Sequence, residues 1–225
     1  MKEGIIMSWD VMQQYLPLYQ EAMLLTLYIG WIGVLLSVAL GLVTALVVHY
    51  KIPIISKIAK VYIEIFRNTP LLIQLFFIYF GLPKIGISIS AEMCGVVGLG
   101  LLGGSYMAET FRSGLEAVDK IQLESAMSLG MTHFQALRHI VLPQAVSLSM
   151  PAFVANVIFL LKETSVFSAI SLMDLMFTAK DLIGLYYKTS ECLVLLVVFY
   201  LIILLPVSVL GSVLERRLRY ASFGH

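Results

Sequence analysis

Charge is scarce in this sequence: 13% of its 225 residues are charged and 60% are hydrophobic. With a mean hydropathy of +0.93, this excludes an ordinary soluble domain, in which about 25% of residues are charged. The 15 Lys and Arg nearly cancel the 14 Asp and Glu. No basic run disturbs that balance, so nothing points to a nucleic-acid partner. Cysteine is rarer still. Cys94 and Cys192 have neither metal-ligand nor redox spacing, and they read as two thiols shielded by lipid rather than as a disulfide. His49, His133, His139 and His225 are scattered and build no metal site or catalytic triad. There is no Gly-Lys-Ser/Thr, hence no phosphate-binding loop. The expectation is a chain that is not an enzyme, needs no cofactor or metal, and relies on another chain for any ATP hydrolysis. The first residues lack a cationic segment followed by an apolar run and a small-residue cleavage site, so no signal peptide is expected to be removed.

Long apolar runs dominate what remains. They predict an all-α, polytopic membrane protein of about five spans, forming one transmembrane domain over residues 1–225. After an amphipathic lead-in to about Gln20, Leu24 to Val48 forms the first span; Gly30, Gly33, Ser37 and Gly41 in it let another helix approach closely. A cationic turn follows, carrying His49, Lys51, Lys57 and Lys60. The second span, Val61 to Phe80, carries Glu64, Arg67, Asn68, Thr69, Pro70 and Gln74. Pro70 lies about 15 Å from Lys60 along a helix, near mid-membrane, and breaks the backbone ladder there. A broken helix at that depth must be buried in protein or line a wet cavity. Leu82 to Ala91 is a short exit loop. The third span, Met93 to Ala108, contains Gly98-x-Gly100-x-x-Gly103; no strand precedes it, so close helix packing explains it better than a dinucleotide fingerprint. The fourth span, Ala145 to Leu161 with a kink at Pro151, leads into Lys162-Glu163-Thr164-Ser165. Val166 to Lys188 reads as short helices, and Cys192 to Leu214 as the fifth span.

Between the third and fourth spans lies a polar, helix-patterned stretch, residues 119–143. Gly130 suits a left-handed helix stop, Thr132 a helix cap, and Pro143 the end of a second short helix. The product is a bent knob outside the bilayer, fit for docking. Lys and Arg are concentrated after span one, around the knob and after span five; Lys2, Lys84, Lys162, Lys180 and Lys188 are spread thinly over the other side. By the positive-inside rule, the N-terminus lies outside and the knob and C-terminus lie in the cytoplasm.

Ionisable groups within spans are functional suspects. Glu64 and Arg67, three apart, either neutralise each other or face a cavity. Lys162, Glu163, Thr164 and Ser165 offer a cation, an anion and two hydroxyls, which complements a zwitterion; a pair snorkelling to the interface is the plainer alternative. Tyr106 and Glu109 are weaker candidates.

Glu124-Ser125-Ala126, then Gly130, then Ile140-Val141-Leu142-Pro143 resembles the coupling loop of ABC importer permeases, with Ser125 in place of the usual first alanine. Ile63 to Leu72, Tyr106 to Gly114 and Leu161 to Ser165 narrow the likeness to the polar amino acid permeases of the histidine, glutamine, arginine and glutamate uptake group. The resemblance implies a type I importer permease in the bacterial cytoplasmic membrane. It implies two ATP-binding cassette ATPases, a second permease (identical or related), an extracytoplasmic solute-binding protein and a polar amino acid substrate. Glu124, Ser125, Ala126, Gly130, Leu142 and Pro143 would couple to the ATPase. Arg67, Asn68, Thr69, Gln74, Tyr106, Lys162, Glu163, Thr164 and Ser165 would contact substrate. The alternatives are a permease for another solute, a non-transporting scaffold, and an ion-coupled secondary transporter; the last usually needs paired inverted repeats, which are not evident here.

Overall fold

The structure, a computed structural model, describes the backbone of residues 8–223 and side chains to residue 218. It is helical throughout, with no strand among the described residues: α1 (Trp9–His49), α2 (Ile55–Arg67), α3 (Leu71–Phe76), α4 (Ala91–Glu116), α5 (Lys120–Ser128), α6 (His133–Ala136), α7 (Leu142–Glu163), α8 (Leu175–Tyr186) and α9 (Thr189–Phe223). Among the described residues, four stretches are long and apolar enough to cross a membrane: Trp9–His49, Ala91–Glu116, His133–Ile170 and Thr189–Leu218. The pair Ile55–Arg67 and Leu71–Ile85 makes a fifth if counted as one broken span.

Several boundaries differ from the sequence expectation; α4, for one, continues past Ala108 to Glu116. The lead-in is no separate element, since α1 runs 41 residues through Pro17, about 60 Å and twice the hydrocarbon thickness. Lys57 and Lys60 belong to α2 rather than to a turn. Pro143 does not end the knob's second helix. The backbone passes from α6 through a π turn, Leu137–Val141, straight into α7. In that turn the Leu142 N–H reaches back to the Leu137 carbonyl. A proline in α register clashes with the carbonyl four residues back and lacks the N–H to bond it. The wider π turn moves that carbonyl aside, so the helix survives. The same device recurs at Phe77–Gly81, where the Leu82 N–H reaches the Phe77 carbonyl just before Pro83.

The chain divides into two compact units. The first comprises residues 8–35, Thr69–Gly100 and Leu160–Pro206. Its core is built by α1, α8 and α9 from Met12, Tyr15, Tyr19, Leu175, Leu182, Cys192 and Phe199, among others. The Tyr19 hydroxyl donates to the Cys192 carbonyl at 2.7 Å. The Leu175 N–H donates to the Thr26 hydroxyl at 3.2 Å. Asp174, fully buried, caps α8 by accepting from the Phe177 N–H at 2.9 Å. Both cysteines lie in this unit, unpaired and buried in protein rather than facing lipid.

The second unit comprises Leu36–Asn68, Leu101–Phe159 and residues 207–223. Here α1 meets α4 so closely that a Cβ on Gly41 would lie 2.4 Å from the Met107 Cβ. The small-residue stripe on α1 therefore does what its spacing suggested. Val118, Val141 and Ala145, with Leu115, Leu123 and Leu137, form a separate apolar cluster that roots the knob.

Candidate functional site

The knob is stiff by construction. Asp119 caps α5, accepting from the Ile121 N–H at 3.0 Å. Its end is a full left-handed stop. Gly130 has φ +86°, its N–H reaches the Met127 carbonyl at 3.0 Å, and the Met131 N–H reaches the Ala126 carbonyl at 3.2 Å. Thr132 then caps α6, and Gln135 completes a reciprocal box: the Gln135 N–H donates to the Thr132 hydroxyl at 3.3 Å and the Thr132 N–H to the Gln135 side-chain oxygen at 2.8 Å. The Thr-x-x-Gln spacing was visible in the sequence, although only Thr132 was read from it. Ala126 is buried, while Glu124, Ser125, Gly130, Leu142 and Pro143 are exposed. Leu123, Leu137 and Val141 turn inward. Other apolar side chains do not: Ile121 is 59% exposed, Met127 48%, Leu129 85% and Phe134 67%. A rigid polar unit displaying four bare apolar side chains is an unsatisfied contact surface.

The break in the second span falls where proline placed it. α2 ends at Arg67, and Pro70, with φ −58° and ψ 142°, opens α3. Two of the predicted polar residues bond backbone carbonyls beside the break. Asn68 Nδ2 donates to the Glu64 carbonyl at 2.7 Å, and Gln74, 7% exposed, donates from Nε2 to the Thr69 carbonyl at 2.9 Å. The second bond takes up a carbonyl that lost its ladder partner, because the Ile73 N–H turns to the Pro70 carbonyl; the Glu64 carbonyl keeps its ladder bond from the Asn68 N–H at 3.3 Å.

In the second unit the Arg67 guanidinium lies over the Tyr106 ring, 5.3 Å from its centroid. Tyr106 also packs against Phe159, with ring centroids 5.3 Å apart. Arg67 does not pair with Glu64; among the described residues the ion pairs are those of Arg112 with Glu109 and Glu116. Arg112 donates from Nε to Glu109 at 3.1 Å and from Nη1 to Glu116 at 2.6 Å. This cluster, one helical turn to each side of Arg112, takes Glu109 out of contention as a free carboxylate.

In the first unit α3 packs on the 3-10 turn Thr164–Ile170 that follows α7. Lys162 is exposed, Glu163 and Ser165 are half-buried, and Thr164 is fully buried. The Thr164 hydroxyl donates to the Leu161 carbonyl at 2.8 Å, so Thr164 positions the turn rather than facing a cavity. Of the predicted site residues, the first unit thus holds Thr69, Gln74, Lys162, Glu163, Thr164 and Ser165; the second holds Arg67, Asn68 and Tyr106.

Residues 37–220 match the family model of the binding-protein-dependent transport system inner membrane component. A probable amino-acid permease protein of Bacillus subtilis (strain 168) is 35% identical over 212 residues, covering 93% of this chain and 95% of that protein. A probable glutamine ABC transporter permease protein of the same organism is 36% identical over 172 residues, covering 76% and 79%. A crystallised chain of an amino acid ABC transporter with histidines superposes with a TM-score of 0.87 at 37% identity, covering 93% of this chain and 98% of that one.

Proposed function

We propose, from the premise that this chain belongs to the family of binding-protein-dependent transport system inner membrane components, that it is the membrane subunit of an ATP-driven importer of a polar amino acid. The relatives' names support the amino acid. The observation that carries the coupling is the knob: a doubly capped pair of short helices with Ile121, Met127, Leu129 and Phe134 bare. A separate ATPase covers those side chains from the cytoplasm. Because α6 runs without interruption through the π turn into α7, a push on the knob is delivered along a span rather than lost in a loop. Two ATPases, a second permease and an external solute-binding protein complete the assembly, with the N-terminus outside and the knob and C-terminus inside.

Substrate recognition is assigned to α3 and the turn after α7. Glu163 takes the substrate ammonium and Lys162 its carboxylate, with Ser165 and Thr69 as hydrogen-bonding groups. Gln74 and Thr164 hold that region in shape. In the other unit, Arg67 over Tyr106 is the second candidate for the carboxylate, and Asn68 secures the break before it.

Co-expression with the cognate ATPase tests the reading. Leu129→Asp with Phe134→Asp should abolish co-purification while leaving the permease folded and in the membrane. Unchanged recovery of the ATPase would overturn the docking role. Glu163→Gln should remove substrate stimulation of ATPase activity, and normal stimulation would take Glu163 out of the site.

A further inference from the structure

The second unit carries a groove lined by four lysines to which the proposed function gives no role. It has a volume of about 1070 Å³ and runs along α2 and the turn before it, with Lys51, Lys57, Lys60 and Lys120 on its rim. Six Lys and Arg side chains and three Glu line it, a net charge of +3. Arg112 is held by Glu109 and Glu116. Among the described residues no ion pair engages any of the four lysines, so the excess positive charge sits on exposed ammonium groups. Within the turn, Lys51 (φ 49°) and Ile54 (φ 68°) both have positive φ, which a β-branched residue such as Ile54 normally avoids.

The sequence of α2 places an apolar stripe beside this charge. Ile54, Ile58, Val61 and Ile65 recur at spacings of four and three residues and are 73%, 63%, 57% and 55% exposed. Lys57, Lys60, Glu64 and Arg67 recur at spacings of three and four on the adjoining face, along the groove. A row of ammonium groups next to bare aliphatic side chains complements a molecule that is anionic at one end and apolar at the other. Basic pockets between membrane helices hold phospholipid headgroups by this chemistry.

We propose that this groove seats the phosphate of an anionic phospholipid, with Lys51, Lys57, Lys60 and Lys120 around the headgroup and the acyl chains along Ile54, Ile58 and Val61. The inference rests on the orientation given above, which puts the α1–α2 turn at the cytoplasmic surface of the membrane. A free phosphate shares the headgroup's charge but cannot use the apolar stripe, and this separates the two sources.

The test uses the full chain, purified in neutral detergent with its partner subunits. It is titrated separately with phosphatidylglycerol, phosphatidylcholine and inorganic phosphate. Apparent melting temperature and lipids retained in native mass spectrometry are read. Phosphatidylglycerol should stabilise saturably and remain bound; phosphatidylcholine should not. Each lysine near an anionic headgroup is worth about fivefold in affinity. Replacing all four by Gln should therefore weaken phosphatidylglycerol binding by at least about tenfold, since neighbouring carboxylates offset part of the gain. Lys57→Gln with Lys60→Gln, both at exposed positions, should give an intermediate loss and serves if the fourfold variant does not fold. Unchanged phosphatidylglycerol binding in either variant overturns the site. Equal stabilisation by inorganic phosphate overturns the lipid as occupant. Labelling of Lys57→Cys by an impermeant maleimide added outside intact cells would overturn the orientation instead, an outcome separate from binding in detergent.

Discussion

Gly104 on α4 sits where a side chain has no room. A Cβ built there would lie 2.6 Å from the Tyr62 hydroxyl and 2.9 Å from the Leu40 Cβ, whereas ordinary contact begins near 3.4 Å. The Tyr62 hydroxyl is not idle, because it donates to the Leu101 carbonyl at 2.6 Å and so pins α2, just ahead of the break, against α4. Gly104→Ala must therefore push the phenol aside. Overpacking costs about 1–3 kcal/mol, and a displaced hydrogen bond about 1 kcal/mol more. Alanine returns up to about 1 kcal/mol through its better helix propensity. The net expectation is a loss of about 1–3 kcal/mol, or several degrees of apparent melting temperature at about 2–4 °C per kcal/mol. Tyr62→Phe alone should cost about 1 kcal/mol. The double variant has no hydroxyl to clash, so it should be more stable than the sum of the two single losses predicts, by about 1 kcal/mol or more. Melting followed by intrinsic fluorescence in one detergent, for all four proteins, closes the cycle. Additivity within about 0.5 kcal/mol, or a neutral Gly104→Ala, would refute this account of the α2–α4 contact.

The remaining predictions concern the knob and a buried acid. A Cβ on Gly130 would meet nothing within 4 Å, so the penalty there is backbone strain alone, about 1–2 kcal/mol. Gly130→Val should loosen the knob and reduce ATPase co-purification, Gly130→Asn should be close to wild type, and equal behaviour of the two would refute the left-handed stop. Burial raises the Asp174 carboxyl to about 7, against smaller lowering effects from the Phe177 and Met176 N–H groups and from Lys180. Its Oδ2 has no hydrogen-bond partner among the described residues. The folded state therefore holds a proton that the unfolded chain releases at lower pH. This stabilisation is greatest below the ordinary carboxylate range and declines as pH rises toward 7, by up to about 1.4 kcal/mol per pH unit. Asp174→Asn keeps an acceptor for the α8 cap, so its melting temperature should fall less than that of wild type between pH 5 and 7; parallel curves would disprove the assignment.

Much of the architecture was open to direct reading because its determinants are local. Uncharged runs reveal helices long enough for a bilayer, proline and its polar neighbours reveal the break at residues 68–70, and Gly130 with Thr132 reveals the bend of the knob. Pro143 misled for a related reason. The rule that proline ends a helix assumes α geometry on its N-terminal side, and the π turn at Leu137–Val141 removes that assumption. The polar residues were harder. Type and spacing place Asn68 and Gln74 in a span and Thr164 just after one, but cannot say whether a side chain turns toward solute or toward its own backbone. Asn68 and Gln74 turn to the carbonyls of Glu64 and Thr69, and Thr164 to that of Leu161.

What the sequence determined by itself, then, was the set of long apolar helices, the break before Pro70 and the bend of the knob at Gly130 and Thr132, since these follow from dihedral limits and from hydrogen bonds a few residues long. Tertiary structure decided which partners those helices met: Arg67 on the face of Tyr106 rather than beside Glu64, Tyr62 on α4, and Asp174 sealed away from water. Such pairings join positions far apart in the chain. Only packing, which excludes water and lets neighbouring side chains compete for each polar group, selects among them.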